Sequence, residues 1–273
     1  MDLREQRSSA TEPGRPRRHP WEVARARFFR GVIADHVDRA AVTKVLDVGA
    51  GDGWFAHELL PDLPEQAELV CWDINYRSAD LAVPAGDRIT RTARRPAGPF
   101  DLVLLLDVIE HVEDDDAFLA DDVVPLLADG ARAVVSVPAY PSLYCEHDRM
   151  LEHHRRYRPA DLRALLARHL RIVASGSLFT TLLAPRAVTV AMERAGRRHE
   201  ATGVGAWDGG AALRLKSPAI SSVALPDTFT SRIAPTEMEL LPPTLTFWLD
   251  STAIFSLEPT LAWRLPFTSW ETL

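Results

Sequence analysis

The sequence predicts an α/β fold, a doubly wound and largely parallel sheet with a nucleotide-binding crevice at its carboxyl edge. Three stretches carry that reading. Val45 to Phe55 reads VLDVGAGDGWF, an apolar, β-branched strand that runs through an acid into a glycine turn and a helix. Leu69 to Asp73 (LVCWD) is a second apolar strand ending in a carboxylate, twenty-two residues after Gly51. Phe100 to Val112 (FDLVLLLDVIEHV) is a third, running into Asp107 and the pair Glu110-His111. Ligands of open α/β sheets bind beyond the carboxyl ends of such strands.

The loop narrows the choice of nucleotide. Gly49, Gly51 and Gly53 allow positive φ and close approach of a ligand, and the helix they open is stopped by Pro61. A dinucleotide fingerprint needs glycine or alanine three places after its second glycine, where this chain has Trp54. Asp47 and Asp52 would repel a pyrophosphate that a helix N-terminus otherwise attracts. A cofactor with a sulfonium and an ammonium and no phosphate suits the loop better. Asp73 could accept hydrogen bonds from both hydroxyls of its ribose.

On these residues, DVGAGDG resembles the first motif of class I S-adenosylmethionine-dependent methyltransferases, an acid followed by GxGxG. FDLVLLLDVIEHV is similar to the fourth-strand motif of their small-molecule branch. The resemblance implies a Rossmann-like, doubly wound sheet of seven strands, with S-adenosyl-L-methionine as cofactor. It also implies cofactor contacts from Asp47, Gly49, Ala50, Gly51, Asp73, Ile74 and Asp107, the last lining the adenosyl and methionine side. An acid is common after the third strand of this family. Thr92-Ala93-Arg94-Arg95 stands there instead, so no adenine contact is carried over.

The other elements follow in order. His19-Pro20 opens a helix to about Val37, with proline at a favoured first position. Trp21, Arg25, Phe28 and Phe29 share one face of it. That face either packs on the sheet edge or caps the cofactor pocket, Arg25 offering a guanidinium fork to the methionine carboxylate. Asp87 to Thr92 is the third strand, and Glu113 to Asp116 complement the N-terminus of a helix reaching Leu127. Ala131 to Val137 is the fifth strand, Pro159 starts a helix to about Leu170, and Arg171 to Gly176 is the sixth strand.

His147 to Tyr157 (HDRMLEHHRRY) concentrates ionisable groups at the carboxyl end of the fifth strand. It resembles a D-xxx-GH-x-RRY pattern of one methyltransferase branch, with Glu152 where glycine is usual. Asp148 and His153 are expected at the mouth of the acceptor pocket. Arg155, Arg156 and Tyr157 either act there or pair with acids and brace the following helix. If the acceptor needs a base, His111 and His153 are the candidates, with Asp148 assisting. His111 could equally only anchor the next helix. No metal is expected: a site from His147, Asp148, His153 and His154 would need adjacent ligands to converge on one ion.

Residues 19–177 thus form the core, preceded by a disordered arm over 1–18 and followed by an insertion over 178–264, with a terminal strand at 265–273 closing the sheet. The insertion holds an apolar stretch from Leu178 to Met192, too short for a span and interrupted by Pro185, then GVGAWDGGAALR, a proline-rich run and a helical segment near Thr244 to Trp263. It is expected either to roof the acceptor site as a lid or to pair two chains as a homodimer. The arrangement from the HPWE helix to the terminal LPxxSW resembles a bacterial methyltransferase subgroup and implies no substrate.

Composition bounds the partners. A chain of 273 residues with net charge −7 lacks the basic face of a nucleic-acid enzyme, and Asp107-Val108-Ile109-Glu110 replaces the NPPY-type tetrapeptide of macromolecule methyltransferases. Cys71 and Cys145 show no metal or redox spacing, and residues 1–18 have no apolar core of a signal peptide, so a cytoplasmic compartment is expected. The expected function is in-line methyl transfer to an O, N or C nucleophile of a small molecule. The alternative is a non-catalytic S-adenosylmethionine-binding sensor or partner subunit.

Overall fold

The computed structural model describes residues 20–178, 183–196 and 252–259. Five strands run parallel: β1 (Lys44–Val48), β2 (Glu68–Trp72), β3 (Ile89–Thr92), β4 (Phe100–Leu106) and β5 (Leu127–Pro138). Their spatial order is 3-2-1-4-5. The chain therefore reverses its direction of winding between β1 and β4, which places the crevice beyond the carboxyl ends of those two strands.

Alternation along the strands fixes the layers. Val45, Leu69, Leu102 and Leu104 face one side of the sheet, where helix α1 (Pro20–His36) contributes Phe29 and Ile33, all fully buried or nearly so. Leu46, Val48, Val103 and Leu105 face the other, packing with Ile109, Leu119, Leu162 and Leu166. Both faces of each central strand are covered, which is why these strands read as unbroken apolar runs. Each buried aliphatic side chain contributes about 1.5–3 kcal/mol, enough in sum to fix the strand ends that carry the polar groups.

Shorter helices complete the core: α2 (Trp54–Leu59), α3 (Ser78–Ala82), α4 (Glu146–Met150) and α5 (Pro159–Leu166). The helix expected after β4 is broken into short α, π and 3-10 turns over 115–126, where Pro125 removes a backbone donor. Asp114 caps its start, accepting from Ala117 N at 2.9 Å. Helix α5 ends at Leu166, earlier than its periodicity predicts, because Leu170 already belongs to β6 (Leu170–Leu178).

Helix α6 (Leu183–Arg194) follows within the apolar stretch. The helix expected near Thr244 to Trp263 is corrected: Thr252–Pro259 is a strand, β7, whose backbone pairs antiparallel with both β5 and β6. Thr252 and Ile254 are β-branched, and Ala253, Phe255 and Leu257 alternate with them at the strand period. One ladder on each side satisfies its backbone hydrogen bonds. The arm over 1–18, the segment Gly203 to Arg214 with its proline-rich continuation, and the strand expected at 265–273 lie outside the described residues.

Candidate functional site

The crevice is built on the loop after β1. Gly49, Gly51 and Gly53 all have positive φ, at 63°, 58° and 76°. At Gly49 the requirement is also steric, since a Cβ there would lie 2.9 Å from Val108 Cγ2. Gly49 N donates to Trp72 O at 2.7 Å, tying the loop to the end of β2. Asp73, the next residue but buried, accepts from Gly51 N at 3.0 Å and from Asn75 N at 2.8 Å. Its carboxylate is thereby aimed at the glycine loop with lone pairs to spare. Ile74 beside it is 78% exposed, a large apolar side chain at the rim.

A pocket opens against this loop, lined by Trp21, Arg25 and Phe29 of α1 and by Asp47, Gly49, Ala50, Asp52 and Trp54. Of the stripe on α1, Trp21, Arg25 and Phe29 all line the pocket, Phe29 being buried in the core as well. Arg25 is engaged, its Nη2 lying 2.7 Å from Asp107 Oδ2 and 3.3 Å from Ser136 Oγ. Ser136 Oγ donates to Asp107 Oδ1 at 2.9 Å. Asp107 is held in this triangle at φ 61°, a backbone state that costs a non-glycine residue about 1 kcal/mol or more. Arg25 Nε is buried with no hydrogen-bond partner among the described residues. Burial pushes the Asp47 carboxyl up to about 7, Arg25 partly opposing and Asp73 adding to the shift.

On the other side of the β4 end lie the remaining candidates. Glu110 and His111 occupy a 3-10 turn, Ile109–His111, and His154 N donates to Glu110 O at 2.8 Å, joining this turn to the segment after α4. The His111 and His153 rings meet edge to face with centroids 4.6 Å apart. Asp148 is corrected from the pocket mouth to the interior: it is fully buried behind His153, whose Nδ1 lies 3.0 Å from Asp148 Oδ1. A carboxylate only accepts, so this Nδ1 carries the proton. Arg156 Nε donates to the same oxygen at 2.8 Å, Cys145 N to the other at 2.9 Å, and Arg186 of α6 stands 3.6 Å away. Burial alone would raise the Asp148 pKa. The His153 hydrogen bond and the Arg156 guanidinium outweigh it and hold the group well below the carboxylate range.

The structure thus brings Asp47, Gly49, Ala50, Gly51, Asp73, Asp107 and Arg25 to one crevice and sets His111 against His153. A methyltransferase-domain family model matches residues 21–196. The chain belongs to that family. The match runs from α1 to the end of α6, and so includes both clusters. Among solved structures, the N-methyltransferase NodS from Bradyrhizobium japonicum WM9, in complex with S-adenosyl-L-homocysteine, is 16% identical with a TM-score of 0.51, covering 94% of this chain and 96% of its own. The [4+2]-cyclase SpnF is 15% identical with a TM-score of 0.53, covering 94% and 92%. At these identities the likeness is one of fold. The curated proteins give no match.

Within the methyltransferase domain, the basic run after α4 proves to be bracing. Arg155 reaches Asp115 at 3.0 Å and also donates to Glu113 O, and Tyr157 Oη donates to Asp115 at 2.6 Å. Arg156 has the buried partner Asp148 already described. Glu152, standing where glycine is usual, adopts φ 60°. Glu152→Gly is therefore expected to raise stability by about 1 kcal/mol, read as a higher urea midpoint with an unchanged slope. Sequence reasoning missed Ser136, Arg186 and Glu110. Only Glu110 carried a signal, its place beside His111 at a strand end.

Proposed function

We propose that the protein transfers the methyl group of S-adenosylmethionine to a nucleophilic O, N or C atom of a small molecule. The observation that carries this is Asp73 set against Gly51 in an acidic glycine loop. The donor set suits the cofactor. Asp73 retains acceptor capacity for two ribose hydroxyls, and Ile74 offers an exposed apolar face to the adenine. The buried, unpartnered Arg25 Nε is a donor for the methionine carboxylate. Asp47 and Asp107 supply negative charge for the ammonium and sulfonium, where a phosphate would be repelled.

When bound, S-adenosylmethionine supplies an electrophilic methyl carbon on a sulfonium. The chain's contribution is alignment and exclusion of water. Trp21 and Arg25 of α1 close one side, and the triangle Arg25–Asp107–Ser136 fixes the floor between the donor and acceptor clusters. The His111–His153 pair marks the acceptor side. With its Nδ1 proton committed to Asp148, His153 presents the Nε2 lone pair for activating the nucleophile. Asp148 acts as a positioning residue. Helix α6 packs over this side through Arg186 on Cys145 Sγ at 2.9 Å and Arg194 on Ser142 O at 2.8 Å. We read α6, the described part of the insertion expected over 178–264, as covering the acceptor side of the methyltransferase sheet. Among the described residues no helix is long and apolar enough to cross a membrane, and the net charge of −7 favours a small acceptor over a nucleic acid.

Asp47 gives the reading a pH signature. A cationic ligand prefers the ionised carboxylate, so it lowers the Asp47 pKa when it binds. Cofactor affinity should then be weak below about pH 7 and rise as pH passes through that value. Calorimetry on Asp47→Asn should show this dependence flattened. The function itself is tested with radiolabelled S-adenosylmethionine and a small-molecule extract. Label should enter a low-mass product and fail to do so with Asp73→Ala. Tight cofactor binding without any transfer would instead indicate a sensor.

A further inference from the structure

We propose that Glu110, His111 and His153 form a site for one divalent first-row transition-metal ion, which binds and activates an ionisable hydroxyl of the acceptor. One ligand atom from each of these three side chains lies within 4.8 Å of the others. Tetrahedral bonds of about 2.0–2.2 Å hold ligands roughly 3.5 Å apart, so rotamer adjustments of order 1 Å close the triangle. Glu110 and His111 are consecutive in the chain, yet one ligand atom of each lies within 4.8 Å of the other. Glu110 and His111 sit in a tight 3-10 turn, and the His154 N–Glu110 O hydrogen bond brings His153 against it.

The surroundings are those of a prepared ligand set. His153 donates Nδ1–H to Asp148, which fixes the ring; its single Nε2 lone pair then serves the metal, and the cation rather than the imidazole activates the nucleophile. A carboxylate behind a histidine is the arrangement that orients metal-bound imidazoles and raises their basicity. Asp148 is locked in turn by Arg156 and by Cys145 N. Glu110 is completely buried beside the imidazoles, where attraction between a carboxylate and a cation is least screened. Two nitrogens and one carboxylate favour zinc, cobalt, iron or manganese over calcium or magnesium. Three protein ligands leave coordination positions open for a substrate.

This inference rests on the methyl-transfer reading and deepens it by naming the acceptor class: a phenol, enol or similar hydroxyl. Such a hydroxyl, made more acidic by the cation, gives its proton to solvent. Its oxygen forms the new bond to the methyl carbon as the C–S bond breaks. That electron pair returns to sulfur, and a methyl ether leaves.

The test is a Co2+ titration of the full-length protein after chelator treatment, followed by visible absorption and calorimetry, with S-adenosylhomocysteine binding measured in parallel. Wild type should saturate with one Co2+ per chain. Glu110→Gln and His111→Ala should each weaken Co2+ at least tenfold, with S-adenosylhomocysteine affinity kept within about threefold of wild type. Should Glu110→Gln fail to fold, the half-buried His111 reads the same loss. Absence of saturable Co2+ binding, or variants that bind Co2+ like wild type, would overturn the site. Stoichiometric Co2+ binding by a protein that does not bind S-adenosylhomocysteine would uphold the site and overturn the methyl-transfer reading.

Discussion

Asp73→Ala is expected to weaken S-adenosylhomocysteine binding by roughly a hundredfold in isothermal titration calorimetry, equivalent to about 3 kcal/mol. Two losses combine. The ribose hydroxyls lose a charged acceptor, and each such bond contributes about 1.5–3 kcal/mol. Gly51 N and Asn75 N lose theirs as well, so the loop that should cradle the ligand is less well ordered before binding. Asp73→Asn keeps one acceptor oxygen for these amides and should fall between wild type and alanine. Equal affinity in all three proteins would remove Asp73 from the cofactor site.

Asp148→Ala is expected to act on stability before it acts on chemistry. The carboxylate is fully buried and forms an ion pair with Arg156, whose side chain is equally buried. Removing it leaves the guanidinium of Arg156, with Arg186 nearby, without its counter-charge in the interior. Breaking such a pair from one side costs about 3–5 kcal/mol, which urea unfolding would report as a large fall in midpoint. Asp148→Asn keeps an acceptor for Cys145 N and should lose less. A group at the mouth of the pocket would cost little when truncated. An unfolding midpoint like that of wild type would therefore return Asp148 to the surface.

The parts of the molecule legible in the sequence are those governed by local pattern. The β1 loop is one, because three glycines at alternate positions admit few backbones. The buried runs of β2 and β4 are another, because both faces of those strands are covered and no polar alternation interrupts them. The strand-end acids Asp47, Asp73 and Asp107 follow directly, since a strand's carboxyl end is fixed once the strand is.

What failed depends on distant partners. Asp148 and His153 looked equivalent in sequence, both expected at the pocket mouth, and both are buried; Asp148 is an interior anchor while His153 also meets His111. That difference comes from Arg156 and Arg186, the second of them on a helix beyond β6. Thr252–Pro259, expected within a helical segment, is a strand because two neighbouring strands supply its hydrogen bonds. Ser136 is invisible for the same reason: it matters only because β5 lies beside β4 and presents its hydroxyl to Asp107. Arg25 lines the pocket, and its ion pair with Asp107, 2.7 Å away, is set by tertiary contact that no local pattern announces.

We expect the crevice between the β1 loop, Asp73 and Arg25 to hold S-adenosylmethionine. A crystal structure of the protein with S-adenosylhomocysteine tests it most directly. The ribose is expected on the Asp73 carboxylate, the adenine along Ile74, and the amino-acid end between Asp47 and Arg25. A ligand bound elsewhere, or one whose ribose does not touch Asp73, would contradict it.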